Sequence, residues 1–148
     1  MSTKSIRNFL ISLAALLIGF VLLVTLTEKS PGEEELGKYL ALNVSEDNIL
    51  YYHDSHGGFF GDGETVAVFT ASDKNVALIG GSWSSEFTNE QARKILFGEG
   101  GVFESRGYSL PENGLYYFEN RGSGSSVNFV FAVYDTASRT VYYCRFDT

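Results

Sequence analysis

The chain has 148 residues, of which 44% are hydrophobic and 15% aromatic, so it can bury the core of one compact domain and is not disordered. Its formal net charge of -7 and pI near 4.7 exclude nucleic acid as a partner, because binding a polyanion requires a basic surface. A single cysteine, Cys144, excludes an internal disulfide.

A run of 18 uncharged residues, Phe9 to Leu26, predicts a membrane anchor. As a helix, such a run spans about 27 Å, which matches the hydrocarbon core of a bilayer. Lys4 and Arg7 precede the run and glutamates follow it, so the positive-inside rule places the N-terminus in the cytoplasm. The sequence therefore predicts a single-pass protein of the cell membrane, with a cytoplasmic tail at residues 1–8, a transmembrane helix at 9–27 and an extracytoplasmic remainder.

A cleaved signal peptide is the alternative interpretation of the same run. Its basic flank would fit, but signal peptides usually have an apolar stretch of about 7 to 15 residues and a small-x-small cleavage site. The sequence VTLTEKS, which ends the run, contains no such site, and no cysteine follows that could be lipidated there. The uncleaved anchor is favoured, and cleavage stays open.

Residues 28–34 include Pro31, Gly32 and a glutamate cluster, and they predict a short acidic spacer before an extracytoplasmic domain at 35–148. The helical spacing of Leu36, Tyr39 and Leu40 predicts a first helix near the start of that domain.

The stretch TNEQARKILFG predicts a second helix. Thr88 is the expected N-cap, Gln91 occupies the capping-box position and Gly98 is the expected terminator. By contrast, the segment from Asp73 to Glu86 has no clear periodicity and is interpreted as a loop or a short extra strand.

Five stretches rich in β-branched and aromatic residues predict strands: NILYYHD, ETVAVFTAS, GLYYFEN, VNFVFAVYD and TVYYCRFD. The last two are joined by a short turn sequence and predict a hairpin. The fold class is therefore α+β, with the N-terminal transmembrane helix followed by a small antiparallel sheet of about five strands and one or two helices packed on one face.

A glycine-rich segment, HDSHGGFFGDGE from His53 to Glu64, separates the first two predicted strands and is the main candidate for a functional site. Its glycines and the Asp62-Gly63 pair are typical of a structural turn, so the segment needs no ligand to exist. The adjacent Phe59 and Phe60 are unusual in a solvated loop and suggest an apolar contact with a partner. The candidate partner-binding or ligand-binding residues are His56, Gly57, Gly58, Phe59, Phe60 and Asp62.

The same segment has a second interpretation as a metal site. Its candidate ligands are His53, His56, Asp62 and Glu64, residue types that suit zinc. In a metal-dependent hydrolase Glu64 would serve as the general base while the other three held the metal.

Nucleophilic catalysis has weaker support. The stretch GGSWSSE lacks the G-x-S-x-G elbow, and Cys144 lies among aromatic residues that predict a buried structural thiol. A protein that is not an enzyme, and that holds no cofactor, is therefore the expectation.

The stretches DSHGGFFGDGE and FAVYDTASRTVYYCRFDT resemble a group of small, uncharacterised membrane-anchored proteins of Gram-positive bacteria. These have a D-x-H-G-G-F-x-G-D-G loop and a Y-D-T terminal hairpin. Phe60 stands where that motif more often has histidine. The resemblance implies location and fold, and no activity.

Together these features predict a membrane-anchored extracytoplasmic domain that binds an envelope or secreted protein through the glycine-rich segment. The metal-dependent hydrolase is the first alternative. The second is an immunity-type inhibitor whose acidic surface neutralises a basic toxin by electrostatic complementarity.

Overall fold

The computed structural model describes residues 13–18, 29–57, 62–123 and 126–148. The chain divides into two units, Met1–Ser30 and Pro31–Thr148. In the first unit, residues 13–18 are helical with exposed side chains, and the rest of the predicted transmembrane helix at 9–27 lies outside the described residues. Within the described part of the chain, no helix has the length and apolar character needed to cross a membrane.

The second unit is an α+β domain built on a five-stranded antiparallel sheet, as the sequence predicts. Its strands are β1 (Ile49–Asp54), β2 (Gly63–Thr70), β3 (Gly114–Asn120), β4 (Phe129–Asp135) and β5 (Thr140–Asp147). They are arranged in the order β1-β2-β5-β4-β3, so the last strand of the chain lies at the centre of the sheet.

Three helices accompany the sheet: α1 (Pro31–Leu40), α2 (Asp73–Ser82) and α3 (Glu90–Phe97). Short 3-10 turns occur at Glu46–Asn48 and Glu104–Arg106. Helix α1 begins inside the predicted spacer 28–34, and Gly32 is buried. Residues 31–34 therefore belong to the folded unit, because the first turn of the helix packs against β1 near Ile49 and Tyr52.

The sheet is covered on both faces, which corrects the expectation that helices pack on one face. On the first face, Leu36 and Leu40 of α1 and Ile79 of α2 form a core with alternate strand residues. On the second face, Ala92 and Leu96 of α3 join another set of buried residues. Strand β4 shows the result, since residues 129–134 are all buried.

Helix α2 replaces the loop or strand expected for the segment from Asp73 to Glu86. Ser72 caps its N-terminus, with its hydroxyl accepting a hydrogen bond from the backbone N–H of Asn75. The helix ends in Gly80, Gly81 and Ser82, which obscure the helical signal in the sequence. Helix α3 also begins one residue later than expected, because the Asn89 side chain rather than that of Thr88 is the N-cap.

Candidate functional site

The two ends of the glycine-rich segment are fixed to each other by hydrogen bonds at the ends of β1 and β2. The backbone N–H of Ser55 donates to the carbonyl of Glu64 at 2.8 Å, and the N–H of Glu64 donates to the Ser55 hydroxyl at 2.9 Å. Gly63 lies so close to His56 that a Cβ there would be 2.9 Å from the His56 Cα. Only glycine fits that approach, so the stem of the loop is a closely packed structure.

His56 lies between two carboxylates. Its Nδ1 is 2.6 Å from Oδ1 of Asp54, and its Nε2 is 3.0 Å from Oδ2 of Asp147 at the end of β5. Both ring nitrogens therefore lie within hydrogen-bonding distance of a carboxylate oxygen, and the tautomer of the ring determines which nitrogen donates. The His56 side chain is 13% exposed, so the histidine joins the loop to the central strand from a largely buried position.

Arg145 of β5 is the second basic residue of this group. Its Nε is 3.1 Å from Oε1 of Glu35 in α1, and its Nη2 donates to the Thr65 hydroxyl at 3.1 Å. The same Nη2 is 3.2 Å from Nδ1 of His56. We name the residues joined in this way the His56 cluster: Glu35, Asp54, His56, Thr65, Arg145 and Asp147.

The aspartate beside the histidine has a pKa below its ordinary value. Partial burial alone would raise the pKa of Asp54, but hydrogen bonds from the backbone and ring of His56, together with the charge of the ring, lower it overall. Thr65 adds a hydrogen bond from its hydroxyl at 3.2 Å. Asp54 is therefore held in its ionised form against His56.

Two tyrosines border the His56 cluster. Burial raises the pKa of Tyr143, whose neutral phenol donates to Oε1 of Glu35 at 2.8 Å. Tyr39 has the opposite shift: burial alone would raise its pKa, but hydrogen bonds with Arg121, Lys38 and Arg145 lower it overall. Helix α1 is thereby attached to β5 through both acidic and phenolic groups.

The predicted partner-binding residues differ in their surroundings. His56 points into the cluster, whereas Gly57 and Asp62 are exposed on the two sides of the loop. Gly58, Phe59 and Phe60 lie outside the described residues, which resume at Asp62. The described part of the segment is thus a fixed stem from which residues 58–61 continue.

Three of the four candidate metal ligands are divided between the two faces of the sheet, and Asp62 is exposed in the loop before β2. Glu64 accepts from Nη2 of Arg106 at 2.6 Å on the second face, and His53 shares that face because it alternates with Asp54. His56 lies with Asp54 and Thr65 on the first face. Across the described ranges, no three His, Cys, Asp or Glu side chains are arranged to hold a metal ion.

Most partners of His56 were not foreseen from the sequence. Asp147 and Arg145 are 91 and 89 residues away from it in the chain, and they meet it because β5 inserts between β2 and β4. A signal was present in β5, where Arg145 and Asp147 alternate with Cys144 and Phe146. Two charged residues at period two on a central strand indicate a polar cluster on one face.

Cys144 faces the second core and is fully buried, as expected from its neighbours. Burial raises the pKa of its thiol, so it is neutral in the folded protein.

Comparison with known proteins found no matching family model, no similar curated protein and no similar solved structure. The resemblance in the loop and terminal hairpin therefore stays a prediction.

Proposed function

We propose that this chain is a single-pass membrane protein that displays its α+β domain outside the cytoplasm and binds an envelope or secreted protein. The contact surface is the glycine-rich segment, with Phe59 and Phe60 as its apolar contact residues. The role is one of binding rather than catalysis.

The observation that carries this proposal is the construction of the loop stem. An Asp-Gly turn between two strands needs no ionic support. Here His56, Asp54 and Asp147 hold the loop against the central strand, and Arg145 links the same group to α1. A loop held in this way can present side chains to a partner without losing conformational entropy at its stem on binding.

The anchor is supported by the N-terminal sequence. The apolar run from Phe9 to Leu26 has the length of a bilayer-spanning helix and carries basic residues on its N-terminal side. The remainder of the chain is acidic, with eighteen acidic residues in all. An acidic displayed domain suits a protein partner with a basic rim, since complementary charge accelerates association.

The proposal is tested by replacing both phenylalanines with serine in the full-length chain, F59S/F60S, and measuring photocrosslinking to envelope proteins in intact cells from a photoreactive residue at position 57. We expect the specific crosslinked species of the wild type to disappear. The matched control is Leu50→Ser, because Leu50 is an exposed hydrophobic residue of β1 with 65% of its surface accessible.

Both variants are required to unfold at the wild-type temperature, so that a lost crosslink reports on contact and not on folding. An unchanged crosslink in the folded F59S/F60S variant, or equal losses in it and in Leu50→Ser, contradicts the proposed contact surface.

A further inference from the structure

A cavity of about 320 Å³ lies on the second face of the sheet, between the start of α3 and the ends of β3 and β4. Its described lining consists of side-chain amides, one serine, glycine and apolar residues: Asn89, Gln91, Ala92, Phe118, Asn120, Gly122, Ser126, Val127, Asn128 and Phe129. No charged side chain lines it among the residues that the structure describes. In a chain with 20% charged residues, this neutral and polar lining favours a neutral ligand.

Three asparagines of the cavity are oriented by the fold. Each uses its Oδ1 to accept a backbone N–H: Asn89 from Ala92 at 2.9 Å, Asn120 from Gly122 at 3.0 Å, and Asn128 from Thr148 at 2.8 Å. These bonds determine which end of each amide is the oxygen. The Nδ2 group of each asparagine keeps two N–H donors and has no partner within the described ranges.

The cavity also has an aromatic side. Phe118 is partly exposed and its ring centroid is 5.7 Å from that of Phe129, which is 2% exposed. Aromatic rings of this kind pack against the C–H face of a saturated, hydroxyl-bearing ring, while side-chain amides bond to its hydroxyls.

The nearest charged neighbours along the chain are engaged elsewhere. Arg121 lies over the Tyr39 ring on the first face and pairs with Glu119 at 3.7 Å, and Glu90 pairs with Arg93 at 3.8 Å. An anionic ligand would therefore enter the cavity without a cation among the described lining residues to compensate it.

We propose that this cavity binds a neutral carbohydrate unit, with the Nδ2 donors of Asn89, Asn120 and Asn128 bonding to sugar oxygens and Phe118 packing against the ring. The volume is at the lower end of the range of small-ligand sites, about 300–1,000 Å³, and suits a mono- or disaccharide. This site is separate from the glycine-rich segment and does not depend on the function proposed for it.

The test uses the full-length chain in lipid nanodiscs, without sugar-based detergent, and saturation-transfer difference NMR. The probes are N-acetylglucosamine, methyl glucoside, methyl galactoside and glucuronic acid at millimolar concentration. We expect at least one neutral probe to bind with saturable transfer and glucuronic acid to bind more weakly. Binding of none of the neutral probes, or preference for glucuronic acid, would overturn the assignment.

A double variant, N89S/N120S, locates the binding. A serine hydroxyl can still accept the backbone N–H at each position, while the amide donors are removed. We expect affinity to fall about tenfold, since the ligand loses hydrogen bonds from two amide groups. The control is Asn113→Ser, an exposed asparagine outside the cavity. If the folded double variant binds as tightly as the control, the sugar binds elsewhere and the proposal is wrong.

Discussion

His56 and His53 are the two histidines of the chain, and their surroundings differ. The His56 ring bonds to Asp54 and Asp147 and is 13% exposed. His53 is exposed, and no side-chain hydrogen bond or ion pair within the described ranges involves it. Although the sequence pattern makes both equally good metal ligands, the structure gives one of them a role in holding the loop.

Replacing His56 with glutamine should destabilise the domain. The variant loses the imidazole ring that contacts both Asp54 and Asp147, while Arg145 remains 3.6 Å from Asp147. We expect a loss of about 1–3 kcal/mol in the free energy of unfolding, with partial exposure of the aspartates keeping it toward the lower end. Urea denaturation of the wild type and the variant measures this difference in the free energy of unfolding.

The matched control is His53→Gln, for which we expect a change within about 0.5 kcal/mol because the position is exposed. Equal effects of the two substitutions would show that the contacts of His56 do not stabilise the stem.

The lowered pKa of Asp54 makes the stability of the domain depend on pH in the acid range. The pKa of Asp54 in the folded state is lowered from its ordinary value of 3.8, so the folded chain binds this proton less readily than the unfolded chain. The stabilising contribution is therefore present above pH 3.8 and is lost as the pH falls below it through the folded pKa.

Asp54→Asn should accordingly unfold at a lower temperature than the wild type near neutral pH. The difference between the two melting temperatures should become smaller as the pH falls below 3.8. The measurement is the melting temperature of both proteins across the pH range. A gap that is constant with pH would contradict the lowered pKa.

At the scale of elements, periodicity predicted the strands well and the helices less well. Strands β3 and β5 match their expected bounds, and Phe129, Phe131 and Val133 of β4 share the second face as their period of two predicts. Helix α2 was missed because Gly80 and Gly81 weaken its signal and because Leu78 is 48% exposed, which blurs the apolar face. The capping serine was the available clue.

The packing of helices on both faces of the sheet predicts how substitutions in α2 and α3 affect stability. Leu96 of α3 is fully buried in the second core, whereas Leu78 of α2 is 48% exposed. We expect Leu96→Ala to cost roughly 2–5 kcal/mol of unfolding free energy and Leu78→Ala to cost about 0.5 kcal/mol or less.

Denaturant unfolding of the two variants tests whether α3 packs on the sheet. Should Leu96→Ala be as mild as Leu78→Ala, α3 would not be packed on the sheet, and the second face would have a different cover.

At the scale of the whole molecule, the sequence was sufficient for the fold class and the strand count, and insufficient for the cluster that holds the loop. Hydrophobic periodicity depends on residues that are close together in the chain, so a single sequence is enough to detect it. The approach of His56 to Arg145 depends on β5 taking the central position, and that position is a property of the complete sheet. The same holds for the asparagine cavity, which joins α3 to residues from two strands.

The proposed extracytoplasmic location of the domain is the central claim, and substituted-cysteine labelling of the full-length chain in intact cells tests it most directly. Cys144 is buried with a raised pKa, so a membrane-impermeant maleimide should not label the folded wild type, although it should label the chain after denaturation. We predict that Glu112→Cys, at an exposed position before β3, is labelled in intact cells, and that Ser5→Cys is labelled only after permeabilisation. Labelling of Ser5→Cys but not Glu112→Cys in intact cells, or of neither, would contradict it.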